Sequence, residues 1–137
     1  MKNNLEKKEI KKEEKGDKVN FPASLLTPVA KVLGWRLLSL EKKRKEISEE
    51  DPFKDTDRLA DNASPDADAA EQFGHARITA LKNELAKKIV QTRKALTRIK
   101  FGKYGICEDC GKMIDTDRLM AYPEATLCRD CQAKREK

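Results

Sequence analysis

Four cysteines form two close pairs near the carboxyl end of the 137-residue chain, with the spacing C-x2-C-x17-C-x2-C. The pairs are Cys107 with Cys110 and Cys128 with Cys131. Two residues between cysteines let one tight turn aim both sulfurs at a single point, and a tetrahedral zinc ion needs four such ligands about 2.3 Å away. Gly111 follows the first pair and suits the positive φ of that turn. The spacing therefore predicts one structural zinc ion, Zn2+, bound by all four thiolates.

The same cysteines have other possible uses. Four thiolates could hold an iron–sulfur cluster, and a single C-x2-C pair could be a redox dithiol, although that use belongs to a βαβ unit, which is not visible here. A complete shell of four thiolates leaves no open position for water or substrate. The sequence also shows no nucleophile–base pair at recognisable spacing and no glycine-rich phosphate loop. The chain is therefore predicted not to be an enzyme.

The composition predicts a small core. Hydrophobic residues make up 38% of the chain and charged residues 39%, against norms of about 45–50% and about 25% in globular domains.

No apolar run approaches the roughly 18 residues of a membrane span, so no membrane association is expected. The amino terminus has no apolar segment of a secretory signal. A cytoplasmic location is expected, where paired cysteines bind metal more often than they form disulfides.

Two long helices are predicted before the cysteines. Thr27 can cap the first helix and Pro28 suits its first position, and this helix should run to about Glu50. A similar pair, Ser64 and Pro65, opens the second helix, which should end near Lys100. Apolar residues recur in both at coiled-coil spacing: Leu33, Leu37, Leu40, Ile47, Ile78, Leu81, Leu85, Ile89, Leu96 and Ile99. The predicted fold is mainly α, an antiparallel helical hairpin (coiled coil) followed by a small C4 zinc-finger module.

This pattern divides the chain into three predicted regions. They are a charged tail without expected order (residues 1–26), the hairpin (27–101) with its acidic connector (51–68), and the zinc finger (102–137). Between the cysteine pairs a short hairpin or turn is expected, with apolar side chains covering the metal: Ile114, Leu119, Met120, Tyr122 and Leu127. Six residues follow Cys131, too few for a further helix that is stable on its own.

Charge is distributed unevenly along the hairpin. The connector, residues 51–68, has six aspartates against one lysine and one arginine, whereas residues 72–103 have nine basic residues and one acidic residue. The hairpin therefore has a basic arm and an acidic end. The charged residues Arg44, at the seam, and Lys88, near it, disfavour a long self-paired coil, so a monomer is expected.

Residues 101–111, FGKYGICEDCG, and residues 127–131, LCRDC, resemble the TraR/DksA family of bacterial C4 zinc-finger regulators. The resemblance also includes Ile114, Arg118, Leu119, Ala121 and Pro123. It covers roughly residues 64–132 and, more loosely, the hairpin from residue 28. It implies a protein that binds RNA polymerase, inserts its coiled-coil hairpin into the secondary channel and modulates initiation without sequence-specific DNA contact.

The resemblance also implies an acidic effector at the hairpin tip. Family members carry tip aspartates in a D-x-x-D-x-A motif, which this chain lacks, and its candidates are Asp61, Asp66 and Asp68. A purely structural role is open for the last two, because acids in a first helical turn stabilise the helix by about 0.3–1 kcal/mol. Where the DksA branch has basic residues beside the finger, this chain has Tyr122 and Gln132. Binding of the alarmone ppGpp is therefore not carried over.

Two other functions remain open from the sequence. GATA-type DNA-binding fingers use the same C-x2-C-x17-C-x2-C spacing, but residues 107–137 hold six basic and seven acidic residues, a poor match to a phosphate backbone. A non-enzymatic adaptor whose coiled coil pairs with another helix or with itself is the third possibility.

Overall fold

The structure, a computed structural model, describes residues 21–54 and 64–137. Within those ranges it contains four α-helices and one 3-10 turn: α1 (Ala23–Glu49), the turn (Pro52–Lys54), α2 (Pro65–Lys100), α3 (Thr116–Ala121) and α4 (Arg129–Arg135). The described residues form no strand, and one isolated antiparallel bridge joins Ile106 to Met113. The predicted mainly α fold is confirmed. No described helix is long and apolar enough to cross a lipid bilayer.

Helix α1 begins five residues earlier than the sequence pattern predicts. It starts at Ala23, so that Pro28 lies inside the helix and Thr27 does not cap it. The Thr27 hydroxyl instead donates to the Ala23 carbonyl at 2.8 Å. A proline inside a helix removes one backbone hydrogen bond. Leu26 and Val29 in this stretch pack against a buried apolar cluster, and that packing offsets the lost bond.

Helix α2 has the bounds that the sequence predicts. It begins at Pro65 and ends at Lys100. Gly102 follows the helix with φ 67°, and the Lys103 N–H donates back to the Arg98 carbonyl at 2.9 Å. Helices commonly end with a glycine in this left-handed conformation, which has no side chain to oppose it.

The chain forms two compact units. The first, here called the finger unit, comprises described residues 21–33 and 94–137, and the second, the hairpin unit, comprises residues 34–93 with the gap at 55–63. The finger unit has a core of six buried side chains: Tyr104, Cys107, Ile114, Leu119, Ala125 and Cys131. Phe21 from before α1 and Ile99 from the end of α2 pack against that core. Segments far apart in sequence therefore complete the module around the cysteines.

In the hairpin unit, α1 and α2 pair in antiparallel fashion along a narrow seam. Leu85 and Ile89 are buried as predicted, whereas Leu81 is 38% exposed and lies outside the seam. Thr92 is buried although it is polar, and its hydroxyl donates to the Lys88 carbonyl at 2.8 Å. Thr92 continues the alternating spacing of four and three from Leu85 and Ile89, but an apolar pattern does not reveal a threonine.

Two short helices form where the sequence predicts a turn and no helix. Asp115 caps α3, accepting from the Asp117 N–H at 3.3 Å. Because α3 points Leu119 inward, the next residue, Met120, is 83% exposed, and Tyr122 after the helix is 60% exposed. The prediction that Met120 and Tyr122 cover the metal is therefore wrong. Helix α4, absent from the prediction, is seven residues long, and tertiary contacts described below supply the stability that its length does not.

Candidate metal centre

The first cysteine pair lies on a tight backbone turn. The Cys107 N–H donates to the Lys112 carbonyl at 2.8 Å, and the Gly111 N–H donates to the Cys107 carbonyl at 3.2 Å. Gly111 has φ 67°, a conformation that is readily available only to glycine. The turn brings Cys107, which is 2% exposed, and Cys110, which is exposed, to the same side of the chain.

The second pair joins the first through the backbone. The Glu108 N–H donates to the Thr126 carbonyl at 3.0 Å, and the Cys128 N–H donates to the Cys107 sulfur at 3.3 Å. Cys128 occupies the N-cap of α4 and Cys131 lies in the first turn of that helix. The second pair is thus held by a helix start and the first pair by a glycine turn.

All four sulfurs converge. The ligand atoms of Cys107, Cys110, Cys128 and Cys131 lie within 4.8 Å of one another. The Cys110 and Cys128 sulfurs are 3.7 Å apart, and four thiolates about 2.3 Å from a tetrahedral zinc ion lie about 3.8 Å from one another. The donor set and its spacing fit one structural Zn2+, as the sequence predicts.

The close approach of the sulfurs and the surrounding N–H groups shifts the pKa values of Cys107 and Cys131. Burial raises the pKa of Cys107, but backbone N–H groups, among them those of Cys110 and Cys128, lower it to about 6. The Cys128 thiol, burial and the other two thiols raise the pKa of Cys131 to about 12. Four negative charges cannot be held this close together without a cation, and a bound divalent ion supplies that charge.

Basic side chains engage the two acids that lie between the first pair of cysteines. Arg135 of α4 forms a two-point ion pair with Asp109, with its Nε 2.9 Å from Asp109 Oδ2. Arg98 of α2 lies 3.5 Å from Glu108 Oε1 and donates to the Ile106 carbonyl at 2.5 Å. The first cysteine turn is thus tied to both neighbouring helices, and α4 gains the tertiary support that its length requires.

The small core beside the metal is closed by Tyr104. Its hydroxyl donates to the Pro123 carbonyl at 2.9 Å, and its ring meets Phe21 edge-on with centroids 6.2 Å apart. Burial, together with the negative charge of Glu124, raises the pKa of the Tyr104 hydroxyl. Tyr104 is therefore part of the finger core.

Two of the three predicted effector residues lie in the described part of the hairpin unit. Asp66 and Asp68 are exposed in the first turn of α2, while Asp61 lies outside the described residues. The sequence reasoning missed Asp51, whose carboxylate contacts α2 at His75 and Lys82. Its position before Pro52 suggests only a turn, because its partners are 24 and 31 residues away.

Comparison with known proteins agrees with this structure. A family model described as the prokaryotic dksA/traR C4-type zinc finger matches residues 102–137. The chain is 34% identical over 110 residues to the "RNA polymerase-binding transcription factor DksA" of Caulobacter vibrioides (strain NA1000 / CB15N), an alignment covering 78% of this chain and 72% of the relative. The protein of the same name from strain ATCC 19089 / CIP 103742 / CB 15 gives the same values.

A solved structure agrees at the level of the fold. Transcription factor DksA2 from Pseudomonas aeruginosa matches with a TM-score of 0.67 at 20% identity, over 96% of this chain and 95% of that chain. The converging cysteines, the preceding helical hairpin and the similarity that spans both lead to one conclusion: this chain belongs to the DksA/TraR family of C4 zinc-finger proteins.

Proposed function

We propose that this protein binds RNA polymerase and modulates transcription initiation by inserting its coiled-coil hairpin into the secondary channel. The observation that carries the proposal is the 34% identity, over 110 residues, to a protein named RNA polymerase-binding transcription factor DksA. The covered share of this chain, 78%, is too long to be the finger alone, so the likeness extends into the hairpin. Such a role places the protein in the cytoplasm, where polymerase is found.

In this proposal the finger is a scaffold. Cys107, Cys110, Cys128 and Cys131 bind one zinc ion, whose complete shell of thiolates leaves no position for substrate. The metal holds the two cysteine turns together and takes no part in a reaction. The protein therefore acts by binding, as a regulator and not as an enzyme.

The hairpin is the part that reaches the polymerase. Its acidic end presents Asp66 and Asp68, both exposed, and α2 carries basic side chains behind them. A positively charged arm with a negatively charged end suits a channel leading to a centre that handles magnesium ions and triphosphates. We propose that Asp66 and Asp68, with Asp61 of the connector as a third candidate, are the effector acids.

Alarmone binding is not part of the proposal. Where the DksA branch presents basic residues, this chain has Tyr122, which is 60% exposed, and Gln132. The Gln132 side chain contacts Arg118 and donates to Glu136 at 2.9 Å. These neutral groups do not supply the positive charge that a polyphosphate needs.

The test is binding of the full-length zinc-loaded chain to purified bacterial RNA polymerase core, followed by initiation assays. We expect the chain to co-elute with core enzyme and to change initiation. The double variant Asp66→Asn/Asp68→Asn should still bind but lose most of the effect. The matched control Glu49→Gln/Glu50→Gln removes two charges from exposed residues at the end of α1 and should act like wild type.

Three outcomes would contradict the proposal or part of it. Failure to bind core polymerase at low salt would reject it outright. Equal loss of effect in both double variants would show that total charge, and not the position of Asp66 and Asp68, matters. Salt-dependent binding to duplex DNA without polymerase would instead favour the DNA-binding reading of the finger.

A further inference from the structure

An enclosed carboxylate lies where the chain leaves α1. The Asp51 side chain is 11% exposed. Its Oδ1 lies 2.9 Å from His75 Nδ1 and accepts from the Phe53 N–H at 3.2 Å, while its Oδ2 accepts from Lys82 Nζ at 2.9 Å. A carboxylate only accepts hydrogen bonds, so His75 Nδ1 carries a hydrogen.

Phe53 completes the arrangement. Its ring meets the His75 ring edge-on, with centroids 4.5 Å apart and an angle of 84° between the planes. The Lys54 N–H donates to the Asp51 carbonyl at 3.0 Å and closes the 3-10 turn. Asp51, Phe53, His75 and Lys82 are here called the Asp51 cluster. It joins the exit of α1 to two points on α2 that are about 10 Å apart along the helix axis.

Polar contacts dominate this end of the hairpin unit. The first buried residue of α2 is Leu85, and residues 65–70 are all exposed. Apolar side chains at this end, such as Ile47 and Ile78, are only half-buried, so apolar packing constrains the alignment of α1 and α2 less here than along the buried seam. Hydrogen bonds to a charged group are directional and strong, and polar contacts of this kind can fix the register of a helix pair.

Of the hydrogen bonds and ion pairs that join α1 and its exit to α2 among the described residues, those of the Asp51 cluster lie nearest to Asp66 and Asp68. Asp66 and Asp68 lie on the continuous helix α2, nine and seven residues before His75, which corresponds to roughly 14 Å and 10 Å. Because α2 is one continuous helix, the direction of its first turns follows that of the segment held at His75. Support at His75 therefore decides where the two acids stand relative to α1.

The charge state of the cluster agrees with its geometry. Two hydrogen bonds hold the pKa of Asp51 well below its usual range, the one from His75 having the larger effect and the one from Lys82 the smaller. Burial opposes both. Asp51 is therefore ionised at neutral pH, and both of its oxygens are available to accept.

We propose that Asp51 is a positioning residue for the acidic end of the hairpin, holding His75 and Lys82 so that Asp66 and Asp68 are presented to the polymerase in one orientation. This inference rests on the proposed function. It assigns the acidic residues of this region two different tasks: Asp51 faces inward and aligns the helices, whereas Asp66 and Asp68 face outward and act.

The first test separates binding from effect. Asp51→Ala is compared with Glu50→Ala, which removes an exposed acid one residue away, and zinc content and melting temperature confirm that both variants fold. We expect Asp51→Ala to bind core polymerase within about twofold of wild type, while its effect on initiation at saturation falls about tenfold. Asp51→Asn, which keeps the size and one acceptor oxygen, should fall between. Glu50→Ala should behave as wild type.

The second test needs no polymerase. Backbone amide hydrogen exchange is measured on the zinc-loaded wild type and on Asp51→Ala. Loss of charge-assisted hydrogen bonds should speed exchange about tenfold at residues 50–54 and at the start of α2, with the finger unit unchanged. Unchanged exchange would overturn the positioning role whether or not the chain binds polymerase. If Asp51→Ala changes transcription initiation as strongly as wild type does, the positioning role is also overturned. If the wild-type protein itself has no effect on initiation, the proposed function is rejected.

Discussion

The finger unit and the hairpin unit both have few buried apolar side chains, and they are stabilised in different ways. In the finger unit six buried residues surround one point, and two of them, Cys107 and Cys131, are metal ligands. In the described part of the hairpin unit the buried residues are Leu85, Ile89 and Thr92, in one line along α2. The Asp51 cluster then holds the end where that line stops.

The difference shows what each kind of support can do. A metal concentrates folding energy in a small volume and makes a rigid module from very few apolar residues. A narrow seam distributes little energy over a long contact, so directional polar groups must supply the alignment. The finger unit is therefore suited to a scaffold. The hairpin unit is suited to reaching a distant binding site with its end in a defined orientation.

Zinc removal should have the largest effect and should fall on the finger unit. A strong chelator, or Cys107→Ser, should cost on the order of 10 kcal/mol of folding free energy. Amide signals of residues 102–137 should collapse in NMR spectra, while those of residues 70–90 change less. Met120→Ser alters an 83% exposed sulfur side chain and serves as the control. Equal loss of amide signals in both units would contradict the view that zinc stabilises the finger unit in particular.

Truncation of the seam should come next and should fall on the hairpin unit. Leu85 is 7% exposed, and Leu85→Ala should lower the free energy of unfolding by about 2–4 kcal/mol. Leu38 in α1 is 64% exposed, and Leu38→Ala should cost less than about 0.5 kcal/mol. Urea unfolding of the zinc-loaded chains, followed by circular dichroism, measures both. Similar losses in the two variants would show that the seam is not where the structure places it.

The same substitution at two glycines should give opposite signs. Gly105 has φ +81°, and a Cβ there would lie 2.5 Å from the Phe21 ring, so Gly105→Ala should destabilise the finger unit by about 1–3 kcal/mol. Gly34 lies inside α1 with nothing within 4 Å of a Cβ, so Gly34→Ala should stabilise by about 0.5–1 kcal/mol. Thermal unfolding of both variants is the measurement, and two changes of equal sign would contradict the local geometry.

The smallest expected effect is a pH dependence of folding stability that arises from Asp51 in the hairpin unit. Because the pKa of Asp51 is lowered in the folded chain, its stabilisation is complete above the unfolded value of about 3.9 and is lost as pH falls through the folded value. Wild type should therefore lose more stability than Asp51→Asn as pH falls below about 4. Unfolding midpoints of both proteins between pH 6 and pH 2.5 test this, and parallel curves would rule out the ion pairs as a source of stability.

Much of the finger could be predicted because its information is local. The spacing of the four cysteines, with Gly111 after the first pair, indicates a zinc site without any long-range contact. The bounds of α2 were also predictable, since Pro65 and Gly102 act on the backbone next to them. The true start of α1 was not, because it depends on Leu26 and Val29 reaching a core formed by residues far along the chain.

Helix α4 and the seam show the same limit. Seven residues do not form a stable helix by themselves, and α4 is held by Cys131, which is buried in the finger core, with an added ion pair between Arg135 and Asp109. Thr92 is buried because its hydroxyl is satisfied within its own helix, a solution that a pattern of apolar residues cannot reveal. In both cases a tertiary contact or a side-chain hydrogen bond overrides a local preference.

The amino-acid sequence by itself determined the metal ligands, the helical hairpin and the separation of basic and acidic charge, because spacing, periodicity and charge are properties of neighbouring residues. Only the tertiary structure decided which aspartates face outward and which is enclosed. Asp51 and Asp66 are alike in the sequence, yet one accepts from His75 and Lys82 and the other is exposed in a helix start. The physical reason is that a carboxylate's role depends on the donors around it, and folding brings those donors from residues 24 and 31 positions away.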